Sequence, residues 1–331
     1  MIQKLGHKID LKPSRVSLDR LSPEPGPFAM SYGFELAPLI NSLQNIGLVN
    51  NPIVTEGEGG AIHIVTGFRR IAAFRAMGKE SIGCRMCIQD AIAPPDALLI
   101  NFFDNLTTRQ FNPVEKAMAL TRLARYFPRE EILARYMSLL DLPLHASVLD
   151  TYLSFERDLD ESMKQALARG TISESTATAL LELVPEERKV VASLFLKLTF
   201  NINQQKQLIE LLYDNSRISG TSIAEMLEAK PFRDILATPS MNRPQMARTL
   251  LALFRSRRFP RLNRAEEVFK KRVAKLQLPP EARIQAPPYF ESEIYRMEIS
   301  FRNGKDLKGV IDHLAKIERL RQFKNPWEEG A

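Results

Sequence analysis

The spacing of apolar residues divides the chain into a mixed first part and a helical second part. Between residues 36 and 112, short apolar runs bounded by turn residues predict strands, and 3.6-residue periodicity predicts helices between them. The expected elements are a helix at Leu36–Asn45, strands at Pro52–Thr55 and Ile62–Val65, a helix at Phe68–Met77, a strand at Ile82–Ile88 and a helix at Ala97–Leu106. This order predicts a small α+β domain. Residues 1–35 carry four prolines, which block long helices and predict an irregular, extended segment.

Helical periodicity then recurs in short segments, separated by breaks that contain Pro, Gly or Ser. These segments predict an all-helical domain over residues 113–258. The expected helices are Val114–Tyr126, Glu130–Leu140, His145–Phe155, Glu161–Ala168, Glu174–Leu183, Glu186–Leu198, Asn203–Leu212, Ile223–Ala229 and Gln245–Phe254. The second and third of them, joined through Leu142-Pro143, predict a helix-turn-helix.

Two smaller parts follow residue 258. A basic helix, Arg264–Leu276, and a proline-framed linker are expected within residues 259–285. Residues 286–331 contain one alternating strand, Tyr295–Phe301, and one amphipathic helix, Asp306–Leu320. One strand and one helix cannot close a core alone. This β-α unit therefore predicts a dimerisation element, and so a homodimer.

Composition is that of a globular protein of two or three domains, with 331 residues of which 44% are hydrophobic and 26% charged. No apolar run approaches the roughly 20 residues that span a bilayer, and the N-terminal residues offer no apolar stretch for a secretory signal. Only two cysteines occur, too few for a disulfide framework. These observations predict a cytoplasmic protein without membrane contact.

The net charge of +7 is concentrated in one stretch. Between Asn242 and Arg283, twelve basic and three acidic residues give a net charge of +9. Such a stretch can bind the phosphates of DNA, and it can equally be a solvated helix face. Both interpretations remain open at this point.

The strand-to-helix turn that ends at Arg70 has the residue types of a phosphate cradle. Gly67 lets the backbone approach a ligand closely, and the following helix points its free N–H groups and its dipole at the same place. Arg69 and Arg70 add two guanidinium groups suited to phosphate oxygens. The alternative is a plain helix cap with two solvated arginines.

A second polar segment precedes the helical part. Asp104 and Asn105 offer oxygen ligands for Mg²⁺, which usually binds one or two carboxylates together with nucleotide phosphates. Arg109 can neutralise a phosphate. Asn112 and Glu115 have the spacing of a capping box around a proline at the first helical position, so both also fit a purely structural role.

Three segments in this order resemble motifs of the ParB nucleotide-binding domain, namely G-x-x-x-P-I/V, G-E-R-R and E-N-x-x-R-x-x-L-N-P-x-E-E-A. The matching stretches are Gly47–Val54, Gly67–Arg70 and Asp104–Ala117. A further stretch, Leu167–Leu180, resembles the family's segment after its helix-turn-helix. The likeness spans about residues 36 to 215, so the chain is similar to the ParB/RepB partition proteins over most of its length.

The resemblance implies a ParB/sulfiredoxin-like first domain that binds CTP with Mg²⁺. It also implies a homodimeric clamp on double-stranded DNA that serves chromosome or plasmid partition with a ParA-type ATPase, in the cytoplasm and on the nucleoid. By position, the resemblance places the metal at Asp104 and Asn105. It places the nucleotide at Gly47, Pro52, Thr66, Gly67, Phe68, Arg69, Arg70, Asn105, Arg109 and Asn112.

Two departures from the family pattern bear on chemistry. Phe68 stands where the family usually has Glu, which removes a carboxylate. Asp104 also stands where the family usually has Glu, and its shorter side chain would place Mg²⁺ differently. We therefore expect CTP binding rather than efficient hydrolysis of CTP to CDP and phosphate.

The predicted base-reading helix, His145–Phe155, contains no Lys or Arg and carries Asp150, which weakens the case for tight base readout. DNA contacts are nevertheless expected near it, from Ser147, Thr151, Tyr152, Arg157, Lys164 and Arg169, with phosphate contacts from the basic stretch. The alternative is a ParB-like nucleotide-gated regulator or scaffold without sequence-specific DNA binding. A nuclease is disfavoured, because no acidic cluster has the spacing of a metal site.

Overall fold

The computed structural model describes residues 9–57, 60–87 and 92–323. The chain forms two compact units, Met1–Lys206 and Gln207–Ala331. The finer domain bounds expected from the sequence remain predictions, and the ends of the segments 1–35 and 286–331 lie outside the described residues. Within the described part, no helix combines the length and the apolar character that a membrane crossing requires.

A four-stranded sheet forms the first part of Met1–Lys206. Its strands are β1 (Leu11–Ser17), β2 (Ile53–Glu56), β3 (Ile62–Thr66) and β4 (Ser81–Cys87). The strand order is β1-β4-β2-β3, and β4 is antiparallel to β1 and parallel to β2, which is antiparallel to β3. Ile88, the last residue of the predicted third strand, lies outside the described residues.

Residues 1–35 were expected to be irregular and extended, and they contain one regular strand, β1, that the sequence pattern did not predict. Pro13 sits inside this strand opposite Arg85 of β4. An edge strand tolerates proline, since the missing N–H faces away from the only neighbour. The single-sequence pattern cannot show this, because a proline argues against a strand unless its place at the edge is known.

Nine helices belong wholly to Met1–Lys206 in the part of the chain that is described, and a tenth crosses its boundary. They are α1 (Ala37–Ile46), α2 (Phe68–Ala76), α3 (Pro94–Thr108), α4 (Pro113–Leu123), α5 (Arg129–Glu131), α6 (Ala146–Asp158), α7 (Glu161–Ala168), α8 (Glu174–Leu181), α9 (Pro185–Lys197) and the boundary-crossing α10 (Ile202–Ser219). Apolar residues of the sheet pack with Phe68 and Ile71 of α2 in one core. The α+β class, with a small sheet followed by helices, is confirmed.

The first helix of the predicted helix-turn-helix is interrupted. After α5 the backbone continues as a π-helical turn, Ile132–Tyr136, and a 3₁₀ turn, Ser138–Leu140. Asp141 then takes a left-handed conformation with φ of 53°. The predicted segment Glu130–Leu140 is therefore helical, but it is not one regular α-helix, and α6 covers the predicted second helix.

Gln207–Ala331 contains the remaining elements. They are α11 (Ile223–Glu228), α12 (Lys230–Leu236), α13 (Arg243–Arg258), α14 (Pro260–Leu276), β5 (Ala282–Gln285), β6 (Arg296–Ile299) and α15 (Gly304–Ala315). β5 was missed, because it is short and lies where prolines predict a linker. It pairs antiparallel with β6, and Ala282, Val310 and Leu314 form a small core below this pair.

Candidate functional site

A cavity of about 350 Å³ opens beside the turn between β3 and α2. This volume lies within the range of small-molecule sites, roughly 300–1,000 Å³. Eight of the predicted ligand residues line it: Gly47, Gly67, Phe68, Arg69, Arg70, Asp104, Asn105 and Arg109. The structure thus brings together three segments that are distant in the sequence, the end of α1, the Gly67 turn and the last turns of α3.

Gly67 is required at this turn for two separate reasons. Its φ is 85°, in the left-handed region that side chains rarely adopt. A Cβ at this position would also lie 2.9 Å from the Cα atom of Pro52. Pro52 therefore supports the turn from behind, and it does not belong to the cavity wall in the described residues. Thr66 has a similar supporting place, because its buried hydroxyl oxygen lies 3.4 Å from the Ile53 amide that donates to it.

Phe68 lines the cavity but is only 7% exposed. Its ring packs edge-on against Phe34, with 6.0 Å between the ring centroids. The residue is also part of the core between the sheet and α2. Position 68 therefore contributes packing, and it offers the cavity no acid or base.

Arg70 is a half-buried cation in the cavity wall. It donates a hydrogen bond to the carbonyl oxygen of Asn50. Burial lowers the pKa of the Arg70 guanidinium, and the nearby negative charge of Asp104 opposes that effect. An arginine remains protonated throughout the physiological range. Arg70 therefore brings a fixed positive charge to the cavity.

Arg69 has a hydrogen-bonding group to spare. Its Nη2 lies 2.7 Å from Oε1 of Glu115, and its guanidinium lies over the Phe34 ring at 4.8 Å. Its Nε is buried, and within the described residues it has no hydrogen-bond partner. Native proteins rarely leave a buried donor unpaired, so an unpaired one beside a cavity indicates a place for a ligand acceptor.

Arg109 is held on several sides. Its Nε donates to Oδ1 of Asn105 at 2.8 Å, and its other nitrogens donate to Glu115 and to the Met30 carbonyl. The guanidinium also lies 4.7 Å from the centroid of the Phe111 ring. Burial lowers the pKa of Arg109, and the charge of Glu115 acts against that shift. Arg109 therefore brings positive charge to the cavity wall, but few of its N–H groups are free to bind a ligand.

Glu115 is the buried centre of this cluster, with 1% exposure. The predicted capping box with Asn112 is present at the start of α4. The sequence did not reveal that the same carboxylate also pairs with Arg69 and Arg109 and accepts from the Tyr32 amide at 3.0 Å. The capping-box spacing accounted for Glu115 completely, so nothing local signalled its two distant partners.

Asn112 is engaged on both sides of its amide. Its oxygen accepts from the Glu115 amide, and its nitrogen donates to the Tyr32 carbonyl at 2.9 Å. Among the described residues it is not part of the cavity wall. The structure therefore gives Asn112 a capping role and a link to the segment that contains Tyr32.

The candidate metal ligands sit side by side on α3, with an exposed carboxylate at Asp104. The amide oxygen of Asn105 accepts from Arg109, which leaves it one lone pair for a cation. No three His, Cys, Asp or Glu residues are grouped for a metal ion in the described part of the chain. The donor set fits Mg²⁺ only if a ligand supplies further oxygens, as nucleotide phosphates do.

The predicted DNA-contacting side chains on α6 differ in exposure. Ser147 is exposed, and the Thr151 hydroxyl donates to the Ser147 carbonyl at 2.9 Å. Tyr152 is buried and donates to Glu174 at 2.6 Å, so the expectation that it touches DNA is wrong. Asp150 accepts two hydrogen bonds from Arg129, at 2.7 and 2.8 Å. This pair neutralises the one carboxylate that the sequence placed on the predicted reading face.

The predicted phosphate contacts are mostly paired with acids. Arg157 forms two hydrogen bonds with the Asp158 carboxylate, and Lys164 lies 3.3 Å from the Glu156 carboxylate. Arg169, at the end of α7, is exposed. In Gln207–Ala331, Arg255 and Arg258 pair with Glu266 and Asp214 at 2.7 Å. Exposed cations of α14 recur at helical spacing along one side: Arg261, Arg264, Lys271 and Lys275.

Comparison with known proteins gives a consistent result. No protein-family model matches the chain. The probable chromosome-partitioning protein ParB of Campylobacter jejuni is 22% identical over 222 residues, which are 67% of this chain and 76% of the relative. The protein of the same name from Vibrio cholerae is 23% identical over 215 residues, which are 65% of this chain and 70% of the relative.

Solved structures with partial likeness also carry the ParB name. One is C-terminally truncated ParB of Caulobacter crescentus complexed with CTP-γ-S, which is 18% identical and has a TM-score of 0.26. The match covers 56% of this chain and 99% of the Caulobacter chain. The same protein complexed with the centromeric parS site is 17% identical over 64% of this chain and 95% of its own, with a TM-score of 0.30. A Pnob8-like ParB-N domain, also 17% identical, reaches 0.35 over 76% of this chain and 97% of its own. The two sequence relatives bear the family name that the three motifs predicted, and this chain is similar to both over about two thirds of its length.

Proposed function

We propose that this chain is a CTP-binding, DNA-associated partition protein, which binds the nucleotide in the cavity beside Gly67. The observation that carries the proposal is the wall of that cavity. Three arginines, Arg69, Arg70 and Arg109, meet the N-terminus of α2 at a glycine turn. A concave site with several fixed cations and free helix N–H groups is suited to a polyphosphate.

The opposite wall of the cavity is mostly apolar. Leu39, Leu43, Ile46 and Leu48 contribute to it, with Asn50 at its edge. A flat, weakly polar ring fits such a wall, while its phosphates reach the arginines. The preference for cytosine over other bases rests on the resemblance of the three motifs to the ParB nucleotide-binding domain.

Magnesium would bind at the phosphate end. Asp104 would supply the carboxylate and Asn105 an amide oxygen, with the remaining oxygens coming from phosphates and water. The ion would neutralise phosphate charge and draw the triphosphate toward α3. Because Phe68 offers no carboxylate, we expect binding without efficient hydrolysis.

We further propose that the chain binds double-stranded DNA as a homodimer, closes on it as a clamp and works with a ParA-type ATPase on the nucleoid. The exposed cations of α14 support phosphate contacts, and Arg169 and Ser147 would add contacts near α6. Met297 and Phe301, at and just after β6, are exposed apolar side chains that support pairing between copies. Chromosome and plasmid partition are both compatible with these features.

A titration calorimetry panel tests the nucleotide proposal. The purified protein is titrated with each of the four ribonucleoside triphosphates and Mg²⁺, with and without DNA. We expect CTP to bind most tightly and its affinity to fall when Mg²⁺ is chelated. Equal binding of all four nucleotides, or of none, would contradict the proposal.

A second candidate is a nucleotide-gated regulator or scaffold without sequence-specific DNA binding. It is favoured by α6, where Tyr152 is buried and Arg157 is paired within its own helix. Co-precipitation with DNA of different sequences at two salt concentrations separates the two. If the chain is a partition protein, one DNA sequence should stay bound to it at the higher salt concentration. If it is a scaffold, all DNA sequences should dissociate together as the salt concentration rises.

A further inference from the structure

The carboxylate of Glu115 satisfies more donors than a helix cap needs. Oε1 accepts from the Tyr32 amide at 3.0 Å and from Arg69 at 2.7 Å. Oε2 accepts from Arg109 and from the Asn112 amide at 3.2 Å. Each oxygen of this buried carboxylate therefore accepts hydrogen bonds from two donors.

The two arginines that share Glu115 are held very differently. Arg109 is also anchored to Asn105 and to the Met30 carbonyl, and only 14% of its side chain is exposed. Arg69 is 32% exposed, lines the cavity and keeps a buried Nε without a partner in the described residues. Glu115 is thus the only carboxylate with which Arg69 pairs in this part of the chain.

If Arg69 turned toward a ligand phosphate, Glu115 would not be left alone. The Tyr32 amide would remain on Oε1, while Arg109 and the Asn112 amide would remain on Oε2. A buried carboxylate that lost its only partner would be strongly destabilised. Here the positive charge of Arg109 stays beside Glu115, so the movement of Arg69 from Glu115 to a ligand phosphate costs much less free energy.

We propose that Glu115 is the resting counter-ion of Arg69 and competes with ligand phosphate for it. A phosphate would take over the pairing with Arg69, while Glu115 stays bound to Arg109 and the start of α4. Glu115 then limits the affinity of the cavity for polyphosphate. It acts through Arg69 and does not touch the ligand. The inference rests on the proposed nucleotide site.

Replacement of Glu115 by Gln tests this directly. Glutamine keeps the shape and can keep the capping box, because Gln also serves at the third helical position. It removes the negative charge that holds Arg69. We expect E115Q to bind inorganic tripolyphosphate, and CTP with Mg²⁺, about three- to tenfold more tightly than the unaltered chain. We also expect a steeper fall of that affinity with salt, because the cavity gains one net positive charge.

The matched control is Glu225→Gln, in the capping box that begins α11. It removes the same charge from the same type of cap, and Glu225 contacts Ser222 rather than an arginine in the described interactions. We expect E225Q to leave tripolyphosphate affinity unchanged. A merely structural role of Glu115 would make E115Q bind as before or more weakly, and either result would overturn the proposal.

A second measurement needs no change at Glu115. Side-chain ¹⁵N spectra resolve arginine Nε–H signals, and Arg69→Lys and Arg109→Lys variants assign them. On addition of tripolyphosphate, the Arg69 signal should shift more than the Arg109 signal, because Arg109 keeps its bonds to Asn105, Glu115 and the Met30 carbonyl. A shift of Arg69 that is no larger than that of Arg109, or no shift at all, would contradict the exchange. Absence of CTP binding with normal tripolyphosphate binding would instead refute the proposed function and leave this inference standing.

Discussion

The cavity beside Gly67 and the helix α6 are both places where the sequence predicted contact with a polyanion, and they use their charges in opposite ways. In the cavity, arginines from separate segments converge and Arg69 keeps a donor free in the described structure. On α6, Arg157 is paired with its sequence neighbour Asp158. Cations that converge from distant segments indicate a ligand site, whereas cations that pair locally indicate a solvated surface.

The largest effect is expected from Gly67→Ala, which attacks the cavity at its turn. The new Cβ would meet the Pro52 backbone at 2.9 Å in a left-handed conformation, so the turn has to move. We expect a loss of about 1–3 kcal/mol of unfolding free energy and at least a hundredfold loss of CTP affinity, measured by chemical unfolding and calorimetry.

Gly78→Ala is the control for this experiment. Gly78 has a similar φ of 67°, but a Cβ there would have nothing within 4 Å. It should lose stability through backbone strain alone and keep CTP binding. If G78A lost CTP affinity as G67A does, the close approach at Pro52 would not explain the effect.

Arg70→Ala is expected to have the next largest effect. A charge-assisted hydrogen bond contributes roughly 1.5–3 kcal/mol, so CTP affinity should fall about ten- to a hundredfold while the fold persists. Calorimetry measures the affinity and circular dichroism checks the fold. Arg85→Ala, an exposed arginine on β4, is the matched control and should bind CTP normally. If both variants lost CTP affinity equally, the positive charge of the domain as a whole would explain binding, and the position of Arg70 in the cavity would not.

A smaller effect is expected on DNA when Arg264, Lys271 and Lys275 of α14 are changed to Ala together. If these cations contact phosphates, the slope of log affinity against log salt should become shallower by about 3. Fluorescence anisotropy with DNA at several salt concentrations measures it. The double variant Ser147→Ala and Thr151→Ala on α6 should leave this slope unchanged. If the α6 variant lowered the slope more than the α14 variant, α6 and not α14 would be the surface that contacts DNA phosphates.

The smallest effect is expected from Asp150→Asn. The hydrogen bonds from Arg129 hold the pKa of Asp150 below its usual value. A carboxyl with a depressed folded pKa contributes stability above its unfolded pKa, about 3.9, and that contribution is lost as pH falls through the lower folded value. Both side chains are exposed to solvent, so the effect should be slight. Thermal unfolding from pH 3 to 7 should show the full difference above about pH 4 and a shrinking one toward pH 3, and a difference that widened toward pH 3 would contradict the prediction.

The local fold was largely predictable, because periodicity and caps act within a few residues. The helix from Phe68 and the capping box at Asn112 are both present. β1 was not predictable, because Pro13 is acceptable only at the edge position that the sheet gives it. The break at Ile132–Tyr136 was also hidden, since a π-helical turn changes the backbone without changing the apolar pattern.

The sequence by itself determined the mixed class, the resemblance to ParB proteins and the residue types of the cavity, because these depend on local spacing and ordered motifs. Only the tertiary structure decided how the charges are shared. It placed Glu115 between Arg69 and Arg109, which lie 46 and 6 positions away, and it buried the carboxylate there. Long-range pairing depends on how the sheet, α3 and α4 pack, and no local pattern encodes that packing. For this reason the cavity could be predicted from the sequence, but its internal counter-ion could not.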